Sequence, residues 1–558
     1  MRVARLPLSG EVGPGGRCYG CPMVRCALVA VVLIALGLGG TASAAPSEQT
    51  ASAPSATLVI TGHGWGHGVG MGQWGAYGYA LHGWSYQQIL LHYYTGTTIG
   101  DDPPQMVRVL LADKKRKVSL GAATRWHLVD GAGTKLVLPA GELVIGPSLV
   151  IRGHRFVSPL TVASPTSPLQ LGTKPYHGDF TVDSNGRTLQ VVNDVDLESY
   201  LDGVVGAEMP YTWPAAALEA QAVAARSFAL AQIETVVTAS PFDLYSDTRS
   251  QVYGGIDSES PSVLAAVSAT RGKIVLYDGK VATTYYSAST GGETVTAVGS
   301  NGLPIPYLVS VPDPYDTLSP YHDWGPVLVS AETAGKALGL GGPLLDLEPA
   351  DGAPGHVSSA TAVGAGASLT LSGATVESDL GLRSSWFEFG LLSLTPPAGT
   401  VTAGRPLILT GTARGVKDVS LESRTSGHSW MVAGRVKAGP TGAFTVQVTP
   451  QTTTWYRLAS GPARAALIEV EVSGAEPVVS ARVGADGITG TVGAQDAGAP
   501  VYLDRKDGAG WITVATATVG ADGSFDFRPP FAPGAYRVRC TPGRGPAPGA
   551  SSVISVQS

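Results

Sequence analysis

Residues 62–73 read Gly62-His63-Gly64-Trp65-Gly66-His67-Gly68-Val69-Gly70-Met71-Gly72-Gln73, with glycine at every second position. Glycine costs about 1 kcal/mol per residue in a helix and adopts positive φ freely, so this segment predicts a loop that lets backbone and ligand approach closely. His63 and His67 are four apart, a spacing that would suit zinc on a helix, but no acidic residue accompanies them. Two readings stay open: a His-x-x-x-His metal site, or a loop whose imidazoles bond a neutral polar substrate or neighbouring backbone. After the loop, a helix is expected over 75–91, with Ala76, Tyr79, Ala80, Ile89 and Leu90 as its apolar contacts.

So glycine-rich a chain raises the question of whether it folds at all. Its 558 residues include 73 Gly and 40 Pro; 44% are hydrophobic and 14% charged. Low charge with ample apolar content argues against disorder, and the glycine excess has no collagen period. The length suggests about three domains. Lys plus Arg total 37 against 43 acids, with no basic block, which argues against a nucleic-acid partner.

Cys26–Leu38 is an apolar run of thirteen, preceded by Arg25 and followed by Thr41-Ala42-Ser43-Ala44. Residues 1–44 are expected to be a secretory signal peptide, with Met23 a better start than Met1. The alternative is an uncleaved anchor. No later segment has eighteen apolar residues in a row, so no stable membrane span is expected after cleavage. Cys18, Cys21 and Cys26 would leave with the leader, so Cys18-x-x-Cys21 carries no metal or redox reading. Cys540 alone remains, and no intrachain disulfide is expected. Residues 45–57 read as a flexible lead.

The remainder divides into 58–393, 394–475 and 476–558. Trp430 recurs as Trp511, Gly442-Ala443-Phe444 as Gly523-Ser524-Phe525, and Tyr456-Arg457 as Tyr536-Arg537. Period-two alternation with glycine turns predicts two all-β, Ig-like sandwiches. Trp430 and Trp511 would either stack on sugar rings or serve as core residues of spacer domains.

Chemistry is therefore sought in 58–393, expected to be one α+β domain. Asp196 is a good N-cap for a helix ending at Pro210. Leu197, Leu201, Val204, Val205 and Glu208 fall on one face, so Glu208 continues an apolar stripe. Desolvation there raises a carboxyl pKa, which suits a general acid; a glutamate bonded to backbone amides is the other reading. A second helix starts at Trp213-Pro214 and runs to about Ile233, with Leu218, Ala222, Ala225 and Ala229 as a close-packing face. Gln221 and Arg226 are its inward polar candidates. Arg226 would hold Glu208 or a substrate carboxylate, or lie on the surface.

Glu208-Met209-Pro210, Trp213-Pro214, Leu218 through Arg226, Ser250-Gln251-Val252-Tyr253, Tyr286 through Gly292, Leu380 through Phe387 and the 62–73 segment together resemble the SpoIID/LytB family. The resemblance implies a secreted, wall-associated protein directed at peptidoglycan. It acts either as a lytic transglycosylase on glycan strands free of stem peptides or as a non-catalytic amidase enhancer whose partner is a wall amidase. It implies that Glu208 is the catalytic acid. Gln73, Gln221, Arg226, Gln251, Tyr253, Ser287, Ser289, His63 and His67 are candidates for substrate binding, each with ordinary turn, strand or surface bonding as the alternative. A Gly-x-Ser-x-Gly elbow is absent from the sequence, which disfavours a serine hydrolase.

Two departures from the family pattern stand out. Relatives flank the segment equivalent to Leu244–Gln251 with zinc-binding cysteines; none occurs here, so no metal and no other cofactor is expected. The glycine–histidine motif also precedes Leu380-Gly381-Leu382-Arg383 instead of following it, as in a circular permutation. Residues 62–73 should then lie against 380–387.

Overall fold

The computed structural model describes residues 55–103, 105–235, 240–352, 355–473, 477–493, 496–542 and 548–557. The expected signal peptide (1–44) and most of the expected flexible lead (45–57) lie outside the described residues. The chain forms two units. One comprises Thr61–Gly325 and Gly335–Glu388; the other comprises Ile60 with the strand leading to it, Pro326–Ala334 and Phe389–Ser558.

The first unit mixes sheet and helix. Its largest sheet has seven strands in the order Leu244–Tyr245, Met106–Lys115, Leu189–Asp196, Asp179–Ser184, Leu160–Ala163, Trp126–Asp130, Lys135–Leu138. All pairs are antiparallel except Leu244–Tyr245 with Met106–Lys115. Leu189, Val191 and Val195 point inward from the strand Leu189–Asp196, which runs straight into a helix at Asp196.

Five helices cover this framework: α1 (Gln73–Leu81), α2 (Tyr86–Tyr93), α3 (Leu197–Glu208), α4 (Ala215–Thr235) and α5 (Pro261–Ala269). α4 packs against each of the other four, and Ala220 through Ala231 are buried in an unbroken run. Its many alanines allow that close approach on every side. The single helix expected over 75–91 is two. Gly83 takes φ +82° between them, and Ser85 starts α2 with a capping box to Gln88. Among the described residues, no helix is long and apolar enough to cross a membrane.

Apart from the helical residues Ala331–Ala334, the second unit is built of strands. A five-stranded sheet (Asp323–Ser330, Ser55–His63, Phe387–Thr395, Leu407–Arg414, Ala443–Val448) and a four-stranded one (Met431–Arg435, Ser420–Thr425, Thr454–Ser460, Ala463–Val470) share a core that includes Leu392, Leu409, Leu421, Phe444, Tyr456 and Ile468. Residues 480–556 repeat the theme. Strands Ser480–Gly484, Gly487–Thr491 and Ser524–Phe527 and a sheet around Pro500–Asp507 enclose Val501, Leu503, Phe525, Tyr536 and Val538. Cys540 is buried there as a free thiol.

Candidate active site

α3 begins as its sequence requires. The Asp196 carboxylate accepts the amides of Glu198 and Ser199, satisfying two donors of the first turn. The helix stops because Met209 is extended (ψ 146°) ahead of Pro210. Glu208, its last residue, is 3% exposed and continues the buried stripe of Leu201, Val204 and Val205. Its Oε1 accepts the Val252 amide at 2.7 Å. Burial pushes the carboxyl up to about 7; the Val252 amide and the side chains of Gln73 and Tyr286 hold it from rising further. Near neutral pH such a group is about half protonated, able to give a proton and to take one back.

The glycine-rich loop delivers Gln73 to this carboxyl. Met71–Gly72 pairs in parallel with Tyr286–Ser287, and Gln73 then opens α1. Gly70 is obligatory: its φ is +71°, and a Cβ there would lie 2.1 Å from the Tyr285 carbonyl oxygen. Gln73 Nε2 donates to Gln221 Oε1 at 3.4 Å. Three buried polar atoms close to Gln73 have no partner: Gln221 Nε2, on the amide that Gln73 bonds; Trp74 Nε1, on the next residue; and Ser287 Oγ, on the residue paired with Gly72. Buried polar groups are nearly always bonded, so these three atoms are candidates for contact with a ligand's polar groups. Trp74, Tyr77 and Trp213 pack around one another beside it, with ring centroids 4.8–5.5 Å apart.

The other candidates are placed differently. Gln251 is fully buried; it accepts from Tyr200 Oη and donates to Tyr286 Oη and the Ala225 carbonyl. It therefore fixes Tyr286 against Glu208. Tyr253 donates to Asn193 at 3.0 Å and packs on Tyr176 and Tyr200. Its neighbour Val252, not Tyr253 itself, meets Glu208. Arg226 is 1% exposed and does not pair with Glu208. Nε and Nη2 both donate to Glu198 at 2.8 Å, and Nη1 donates to the Lys273 carbonyl.

Ser289 donates to Asp316, a buried carboxylate that also accepts the amides of Thr290 and Gly291 and contacts His322 Nδ1. Asp313 accepts from Thr290 Oγ1, and burial beside Asp316 pushes its carboxyl up to about 7. These two aspartates brace the Tyr286–Gly292 loop. The sequence reading missed them because they lie 23–27 residues from the groups they hold.

His63 Nδ1 contacts Asp323 Oδ1 at 2.7 Å. His67 Nδ1 accepts the Val69 amide, and burial lowers that imidazole to about 4, helped by His356. Both histidines face the protein's own groups. The adjacency required by the motif order is present: the His63 amide donates to the Trp386 carbonyl and the Gly66 amide to that of Arg383, each at 2.9 Å, and Ser384 Oγ donates to the His63 carbonyl.

The zinc site that the resemblance implies does not fit residues 244–251. Where cysteines would be needed, Asp247 is paired with Arg249 and Ser250 Oγ accepts the Tyr245 amide. Among the described residues, no three His, Cys, Asp or Glu side chains converge in metal-binding geometry.

Residues 185–277 match the family described as SpoIID, Stage II sporulation protein, a span that contains Glu208, Gln221, Arg226, Gln251 and Tyr253. A protein of unknown function from Brachyspira hyodysenteriae is 42% identical over 136 residues, covering 24% of this chain and 37% of its own. Stage II sporulation protein D of Bacillus subtilis is 34% identical over 219 residues, covering 36% of this chain and 62% of its own. The amidase enhancer of Bacillus subtilis is 31% identical over 232 residues, covering 40% of this chain and 30% of its own. The chain thus spans between 30% and 62% of the length of these relatives. With its motif-bearing segments gathered in one unit around Glu208, the chain carries a segment, 185–277, that matches the SpoIID family, and it is similar to the sporulation protein and amidase enhancer named above.

Proposed function

We propose that this is a secreted, wall-associated lytic transglycosylase that cleaves peptidoglycan glycan strands with Glu208 as its acid and base. The observation that carries the reading is a buried carboxyl poised near pH 7 beside the unpartnered Gln221 Nε2 and Ser287 Oγ. Protonated Glu208 gives its proton to the glycosidic oxygen as the C1–O bond breaks. The resulting carboxylate takes the proton of the muramic acid C6 hydroxyl, whose oxygen closes on C1. The product is a 1,6-anhydro sugar, and Glu208 returns to its protonated form. Hydrolysis commonly uses a second carboxylate to activate water; here the substrate's own hydroxyl replaces the water. Gln73, Gln221 and Ser287 bind sugar hydroxyls and acetamide. Gln251, Tyr253 and Ser289 hold the walls. The test is the chemical form of the new ends released from peptide-free glycan. In this reading the motif order reflects a circular permutation, and the two C-terminal β units are Ig-like sandwiches.

A second reading is a non-catalytic amidase enhancer. The likeness to the Bacillus subtilis amidase enhancer and the 3% exposure of Glu208, which a purely structural glutamate would share, favour it. An added wall amidase would then be accelerated equally by the wild type and by Glu208→Gln.

A further inference from the structure

The two β repeats carry similar surface constellations around one matching register pair, an acid opposite an arginine; the tryptophans opposite the neighbouring cations, Trp455 and Trp511, lie on non-equivalent strands. In the first, Glu422 lies opposite Arg457 and Arg424 opposite Trp455. Glu422 is 8% exposed and bonds both Arg457 (2.8 Å) and Arg464 (3.2 Å). In the second, Asp504 lies opposite Arg537 and Lys506 opposite Trp511. Asp504 is 3% exposed and bonds both Arg537 (3.4 Å) and Arg539 (3.2 Å). One acid-bound arginine in each repeat also covers the recurring tryptophan: Arg457 lies 4.0 Å from the Trp430 ring centre and Arg537 4.5 Å from that of Trp511. Neither tryptophan is a core residue; both rings remain partly exposed.

A ladder serving only the sheet would match each acid with one base. Here each buried acid bonds two arginines, and a third cation follows two residues along the same strand: Arg424 after Glu422, Lys506 after Asp504. Among the described residues, neither Arg424 nor Lys506 has a carboxylate partner. Arg424 instead stands 5.0 Å from the Trp430 ring centre. The first face adds an exposed Glu469 opposite Trp455; the second has Ser555 at that register. These cationic, aromatic faces occur in a chain of net charge −6. An aromatic face accepts the apolar side of a sugar ring, and a cation beside it accepts an anion carried by that ring.

We propose that the two faces are tandem binding platforms for the anionic glycan strand itself. Saccharide rings lie against Trp430 and Trp511, and muramic acid carboxylates meet Arg424 and Lys506. This rests on the proposed substrate, because only strands freed of stem peptides expose those carboxylates. Two weak platforms on one polymer bind far more tightly than either alone.

The test uses the full chain carrying Glu208→Gln, so that strands stay intact, and measures binding to peptide-free glycan by calorimetry. Arg424→Ala or Lys506→Ala should weaken binding about fivefold, and the pair by more than about tenfold, with unchanged thermal unfolding. These two cations hold no ion pair, so their removal spares the fold. Trp430→Ala and Trp511→Ala should act in the same direction. Strands whose carboxyls have been reduced to alcohols should bind the parent chain as poorly as untreated strands bind the double variant. Equal binding by parent and double variant would overturn the proposal. So would indifference to carboxyl reduction, or tighter binding to a glycerol phosphate polymer than to glycan. Cleavage by the wild type is scored separately: cleavage without the binding pattern sinks the platforms alone, and the pattern without cleavage sinks only the catalytic reading.

Discussion

The carboxylate of Glu208 accepts the amide hydrogen of Val252 at 2.7 Å while only 3% of Glu208 is exposed. The bond favours the charged form, burial favours the neutral one, and burial is the larger effect, leaving the group at about 7.

That balance makes stability depend on pH in a defined direction. Unfolded, the group titrates near 4.5; folded, near 7. Between these values the folded state holds the extra proton. Its contribution is fully present below pH 4.5 and is lost as pH rises through 7. Glu208→Gln removes the dependence. Denaturant titrations should show it about equal to the wild type at pH 4 and more stable at pH 8, by on the order of 3 kcal/mol. A wild-type advantage at pH 8 would mean that the carboxylate is ionised and well solvated in the fold. Asp313, raised in the same direction, is common to both proteins and drops out of the comparison.

Gln73 acts through Glu208. Its side chain favours the ionised carboxyl, so Gln73→Ala should raise the pKa further and move the alkaline limb of the pH–rate profile upward. Turnover should fall about tenfold, the scale of one lost hydrogen bond to a charged group. An unshifted limb would assign Gln73 to substrate binding alone.

Arg226 and Glu198 form a buried bidentate pair, 1% and 7% exposed at their side chains. Arg226→Met should destabilise the protein by about 3–5 kcal/mol, because it strands Glu198 without its cation. Adding Glu198→Met should recover much of that loss in the same unfolding assay. Full stability of Arg226→Met with weakened glycan binding would instead return Arg226 to the substrate.

With no cysteine at 244–251, and Asp247 there paired with Arg249, metal analysis of the purified protein should give well under one zinc per chain, and EDTA should leave Tm unchanged. About one zinc per chain would contradict this and direct attention to His63 and His67.

The helix carrying Glu208 was legible because its signals are local: an N-cap at Asp196, an i, i+4 stripe and a terminating proline. The burial of Glu208 followed from that stripe. The 62–73 loop was legible for the same reason, since alternating glycine excludes regular helix. What surrounds the carboxyl was not. The Val252 amide reaches it across 44 residues, Arg226 finds Glu198 across 28, and Tyr253 finds Asn193 across 60. Such pairings are set by how sheet and helices stack, which periodicity does not encode. Adjacent positions diverge for the same reason: Val252 serves the site while Tyr253 faces the core. The break between α1 and α2 was written at Gly83 and Ser85, but the apolar spacing on either side masked it.

The central claim is that Glu208 alone drives cleavage that ends in an intramolecular ring. Peptide-free glycan strands digested with the mature protein and read by mass spectrometry test it most directly. The wild type should release fragments ending in 1,6-anhydro-muramic acid, and Glu208→Gln should release them at least about 10²-fold more slowly. Reducing ends from the wild type, or undiminished cleavage by Glu208→Gln, would contradict the account.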